Sequence, residues 1–141
     1  MKRPVMLSIR GSQKYADQKP EIIELVTEGT LEYKDGGWEI VYQETELTGM
    51  AGVTTMFRVE QDRILLERTG NLNSVMIFQE GKNHESLYRL EFGALMISVC
   101  AKRILANLDK DGGMVDLIYT IEIENTEAGE IDYHLDVQPK D

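Results

Sequence analysis

Apolar and polar positions alternate through most of this chain. Val5, Leu7 and Ile9 are separated by Met6, Ser8 and Arg10, the period of two that a strand with one buried face requires. The same period runs through Ile23, Leu25, Thr27, Leu31 and Tyr33, with Glu24, Glu28 and Glu32 on the opposite side. It resumes at Trp38, Ile40 and Tyr42 after Asp35-Gly36-Gly37, residues that tolerate the positive φ of a tight hairpin turn. Val53, Thr55, Phe57 and Val59 form the next strand, and Ile64, Leu66 and Arg68 follow the turn at Gln61-Asp62. Shorter strands are predicted over residues 73–78 and 84–90. Residues 94–101 carry no charge and fit either a buried strand or a short helix; Ile97, Val99 and the flanking Gly93 favour the strand. Leu108-Asp109-Lys110-Asp111-Gly112-Gly113 is a second Gly-Gly hairpin signal, before the alternating Val115, Leu117, Tyr119, Ile121 and Ile123. Ala128-Gly129-Glu130 predicts the last turn, into Ile131, Tyr133, Leu135 and Val137.

About ten short strands with turn signals at this spacing define an all-β domain. Residues 1–141 read as a single domain, without a linker, repeat or low-complexity tract. Short sequential hairpins favour an antiparallel up-and-down meander, and closing it into a barrel of about 8–10 strands removes exposed edges. A β-sandwich is the second architecture.

Charge and cysteine usage narrow the setting. Fifteen basic against 25 acidic residues give a formal charge of −10, which argues against nucleic acid and anionic membrane surfaces as partners. Cys100 is the single cysteine, so no internal disulfide and no thiolate zinc site is expected. After Met1-Lys2-Arg3 the apolar run is interrupted at Ser8 and Arg10, too early for an export signal. No stretch approaches the roughly 18 apolar residues of a membrane-spanning helix. A cytoplasmic protein is the expectation.

The segment Thr45-Glu46-Leu47-Thr48-Gly49-Met50-Ala51-Gly52-Val53-Thr54-Thr55 resembles the YwiB-like family of small bacterial proteins. The likeness continues through Arg68-Thr69-Gly70, Ser74-Val75-Met76-Ile77-Phe78, Ser86-Leu87-Tyr88 and Phe92-Gly93-Ala94-Leu95-Met96-Ile97, nearly the whole chain. The resemblance implies a closed antiparallel barrel of the calycin (lipocalin-like) type in the bacterial cytoplasm. It departs at Arg89-Leu90-Glu91-Phe92, where a Pro and a Tyr are expected before the glycine. No activity comes with the resemblance, and fold alone does not fix function.

Chemistry is sparse. Arg68 shares parity with Ile64 and Leu66, and Glu44 and Glu46 share it with Trp38, Ile40 and Tyr42, so unbroken strands would carry these charges inward. An ionised group inside a barrel is costly unless paired. Either Arg68, Glu44 and Tyr88 line a pocket mouth, or a bulge near Thr45 turns the charges out to solvent. The glycines of residues 48–55 fit a strand corner better than an anion loop, since the GxxxxGK[ST] pattern is missing. Asp132, His134 and Asp136 share one strand face, but Tyr133, Leu135 and Val137 claim the core side and leave the trio solvated, so no metal site is expected. Cys100 lies in an apolar run where a buried, inert thiol is usual, and GxSxG, HExxH and CxxC are all missing. No catalytic constellation and no cofactor signature is present, and an enzyme is not expected.

The reading is a non-enzymatic binding module for a small amphipathic or hydrophobic molecule. Trp38, Tyr42, Phe57, Met76 and Phe78 are its candidate apolar lining, with Arg68, Glu44 and Tyr88 as polar anchors. The alternative is a filled barrel that meets a protein partner through an acidic outer face (Glu24, Glu28, Glu32, Glu122, Glu124).

Overall fold

The computed structural model describes residues 2–14, 19, 21–90 and 92–140. Ten strands form one antiparallel sheet: β1 (Arg3–Lys14), β2 (Glu21–Lys34), β3 (Gly37–Gln43), β4 (Val53–Val59), β5 (Ile64–Gly70), β6 (Ser74–Phe78), β7 (Asn83–Leu90), β8 (Gly93–Asp109), β9 (Gly112–Ile123) and β10 (Thr126–Pro139). The helical content among the described residues is a single 3₁₀ turn, Glu46–Thr48. Neighbouring strands in the sheet are neighbours in sequence, as short connections dictate. The exception closes the barrel: β1 pairs with β10 from Val5↔Pro139 to Lys14↔Glu130.

The barrel is nearly closed, and its seam lies between β6 and β7. There the ladder is replaced by isolated bridges. Asn73 and Arg89 exchange two backbone hydrogen bonds, of 3.0 and 2.8 Å, and Gly81 N–H reaches the Ala101 carbonyl at 3.0 Å. Inside, the alternate positions read from the sequence supply the core: Leu7, Ile40, Phe57, Ile64, Phe78, Leu117 and Leu135 are all buried.

Turn chemistry agrees with expectation at Asp35-Gly36, where both residues take positive φ, as a two-residue hairpin of matching twist demands. The β8–β9 turn, Lys110-Asp111, falls inside the expected span 108–113, with Gly112 and Gly113 already in β9. The next turn differs from expectation. The β9–β10 turn is Glu124-Asn125, both at positive φ, rather than 128–130; Gly129 sits instead at a β-bulge within β10. Residues 94–101 are strand, but β8 runs on to Asp109. A bulge between Ala101 and Arg103 hides that extension in the sequence. It moves the core-facing set from Ile97, Val99 and Ala101 to Ile104 and Leu108, which breaks the period of two. Glu91, in the turn where the chain departs from the family it resembles, lies outside the described residues.

Candidate functional site

β3 carries Ile40 and Tyr42 into the barrel, and Glu44, the next position in phase, follows one residue after the strand ends. Thr45 then caps the 3₁₀ turn, accepting Leu47 N–H at 3.2 Å, and Gly49 leaves it with φ 75°. This local reversal brings Thr48 back onto Glu44 and sends Glu46, expected inward by parity, to solvent. The Glu44 side chain is 1% exposed. Thr48 Oγ1 donates to Glu44 Oε1 at 3.0 Å, and Thr55 Oγ1 donates to Oε2 at 2.5 Å.

Arg68 points inward from β5, opposite Thr55 on β4 and Ser74 on β6. Its Nε stands 4.0 Å from Glu44 Oε2, an ion pair too long for a hydrogen bond. Arg68 Nε and Ser74 Oγ are both buried and have no hydrogen-bond partner among the described residues. Tyr42 and Tyr133 meet hydroxyl to hydroxyl at 3.2 Å, and the Tyr133 ring packs on Phe57 with centroids 5.2 Å apart.

Tyr42, Glu44, Thr48, Arg68 and Tyr133 line a cavity of about 170 Å³ inside the barrel, at the end where β3 turns into β4, and Thr55 and Ser74 stand behind them. Its polar lining includes Gln13, Tyr42, Glu44, Thr48 and Arg68; its apolar walls include Ile9, Leu25, Phe57, Leu66, Leu117 and Ile131. Ile23, half-exposed, lines it as well.

The environment holds the tyrosines neutral. Burial first, and the nearby Glu44 charge second, push Tyr42 up to about 12. Burial raises Tyr119 to about 12, opposed by the Arg68 charge, and lifts Tyr133 well above the ordinary value of 10.0. A phenol whose folded pKa exceeds its unfolded one stabilises the fold fully below pH 10, and that contribution disappears as pH rises through about 12. Alkaline ultraviolet titration is therefore expected to leave Tyr42, Tyr119 and Tyr133 un-ionised at pH 10 in the folded protein. Ionisation of all six near pH 10 in the folded protein would contradict this burial.

A profile for a domain of unknown function, DUF1934, matches residues 7–135. The chain belongs to this family. It is 26% identical over 107 residues to a protein of Bacillus subtilis (strain 168) described as the uncharacterized beta-barrel protein YwiB, covering 76% of this chain and 74% of that one. The crystal structure of YwiB from Bacillus subtilis superposes with a TM-score of 0.82 at 21% identity, over 96% of this chain and 92% of that one. At that identity the likeness shows the shared fold. The resemblance read from residues 45–55 and the later segments is thereby shown.

Within the DUF1934 barrel, the candidate residues from the sequence divide. Tyr42, Glu44, Phe57 and Arg68 meet at the cavity. Met76 and Phe78 are buried in the core and do not line it; Phe78 packs on Tyr119 with centroids 4.6 Å apart. Tyr88 is half-buried against the same core, close enough to Tyr119 to raise its pKa. Trp38 lies at the other end, because four residues of strand separate it from Tyr42 by about 13 Å. There its ring meets Tyr33 edge-on at 5.0 Å and lines a broad open cleft of about 890 Å³. Two acidic groups of that cleft are already engaged: Glu60 by Arg58 at 2.8 Å and Arg63 at 2.6 Å, and Glu80 by Ile104 N–H at 2.8 Å.

Thr48, Thr55, Ser74, Tyr119 and Tyr133 belong to the site although the sequence reading did not select them. Inward parity was the available signal for Thr55, Tyr119 and Tyr133. Two other sequence features stay on the outer face. Cys100 is half-buried, out of phase with buried Val99 and Ala101. His134 shares its ring nitrogens between Asp116 Oδ1 at 2.5 Å and Asp136 Oδ2 at 3.0 Å. Hydrogen bonding to Asp116 leads the effects that raise its pKa above 6.5.

Proposed function

We propose that this DUF1934 barrel is a cytoplasmic, calycin-like binding module for a small amphipathic molecule. The apolar body of the ligand occupies the interior cavity and its polar head meets Arg68 beside Glu44. The observation that carries this reading is the buried Arg68 Nε, which lacks a hydrogen-bond partner among the described residues and stands on the polar side of a mainly apolar cavity. A buried donor left unpaired costs about 1–3 kcal/mol, so a ligand acceptor there gains what the empty protein lacks. Size sets the scale. A cavity of about 170 Å³ is slightly larger than the ~150 Å³ engineered cavity that binds benzene, so the body is about one ring or a short branched chain. The cytoplasmic part rests on a single cysteine and on apolar residues inside with acidic residues outside, the reverse of a bilayer-spanning barrel.

The test is native mass spectrometry of the protein purified from a bacterial host, repeated after denaturing extraction. A co-purifying small molecule released by denaturation supports the reading and gives the mass of the ligand. A bare chain mass, together with no binding of ring-sized probes, sinks it and returns attention to the acidic outer surface.

A further inference from the structure

The polar side of the cavity has one donor without an acceptor, Arg68 Nε–H, and Ser74 beside it on the next strand has another. Glu44 accepts from Thr48 and Thr55. Against this, Arg68 Nε–H and Ser74 O–H point at no acceptor among the described residues. The two residues are direct partners in the β5–β6 register, which sets their Cβ atoms about 5 Å apart on one face. Arg68 lines both the cavity and a shallow cleft along the β6–β7 seam, and Ser74 lines that cleft.

The charge is already balanced. Glu44 stands 4.0 Å from Arg68 Nε, so the pair needs no further anion, and a second carboxylate would be repelled by the first. An ammonium head placed beside Arg68 would be repelled by the guanidinium. We propose that the ligand is an uncharged carbonyl compound, an amide, ester or ketone, whose oxygen accepts from Arg68 Nε–H and Ser74 O–H. A carbonyl oxygen has two lone-pair directions, which matches two donors from adjacent strands. This proposal rests on the binding-module reading above and narrows it to one ligand class.

The experiment is a ligand-observed NMR titration of the full chain with ring-sized probes of one body and different heads: acetophenone, benzamide, toluene, benzylamine and benzoate. Acetophenone and benzamide are expected to bind at least about tenfold more tightly than the other three, the scale of one hydrogen bond to a charged donor. Ser74→Ala and Arg68→Lys should each abolish most of that advantage, read as the ratio of acetophenone to toluene affinity within the same variant; lysine keeps the charge but has no donor at the Nε position. If toluene binds as tightly as acetophenone, the cavity reading stands and the carbonyl assignment falls. Preference for benzoate or benzylamine overturns the assignment in favour of a charged head. If none of the five binds, both readings fail together.

Discussion

Replacing Phe57 with alanine is expected to lower stability by about 3–5 kcal/mol, the range for removing a large buried aromatic side chain. Phe57 is 1% exposed, stacks on Tyr133 and forms part of the cavity wall, so the vacated space joins a void that is already about 170 Å³. The wall cannot close over it easily. β4 is held by ladder hydrogen bonds to β3 and β5, and collapse at one position would strain both. Urea unfolding should show a lower midpoint with little change in slope. Toluene, added at saturation, is expected to recover part of the loss by occupying the enlarged cavity. A cost under about 1 kcal/mol would mean that the barrel wall relaxes into the space, contrary to the rigidity argued here.

The second large effect is at Glu44. Glu44→Ala removes the acceptor of Thr48 and Thr55 and leaves Arg68, whose side chain is only 14% exposed, without its counter-charge. Removing one partner of a buried ion pair typically costs about 3–5 kcal/mol; the slight exposure of Arg68 places this variant near the lower end. Glu44→Gln keeps acceptor oxygen for one threonine and should cost less than alanine. The double variant Glu44→Leu with Arg68→Met should recover most of the loss, because an apolar pair of similar volume removes the uncompensated charge. Chemical denaturation of the three variants beside the parent forms the check. A Glu44→Ala cost within the ~0–1 kcal/mol of a surface ion pair would show that both charges are solvated, and would remove the polar anchor from the proposed site.

Much of this molecule is legible without coordinates. Burial on one face of a strand forces a period of two, so Leu7, Ile40, Phe57, Leu117 and Leu135 are identifiable as core from spacing alone. The same rule carries Glu44 and Arg68 inward. The failures have a common cause: period-two reasoning assumes an unbroken ladder. The bulge at Ala101/Arg103 flips the phase of β8 and conceals its second half, and the 3₁₀ turn after Thr45 sends Glu46 out although its parity says inward. The β9–β10 turn escaped because Glu124 and Asn125 adopt positive φ without glycine, while Gly129 marks a bulge instead.

What the sequence by itself determined is the face of each residue in an unbroken strand, because strand geometry repeats every two positions whatever the strand packs against. It therefore determined the all-β meander, the apolar interior and the inward charges. Only the tertiary structure decided height along the barrel and the partners across it. Trp38 and Tyr42 share a face yet stand at opposite ends, and Tyr42 meets Tyr133, 91 residues away, because β1 pairs with β10 and closes the ring. Whether a barrel of this size is filled or hollow depends on how side chains from facing strands share the volume between them. No single strand contains that sum.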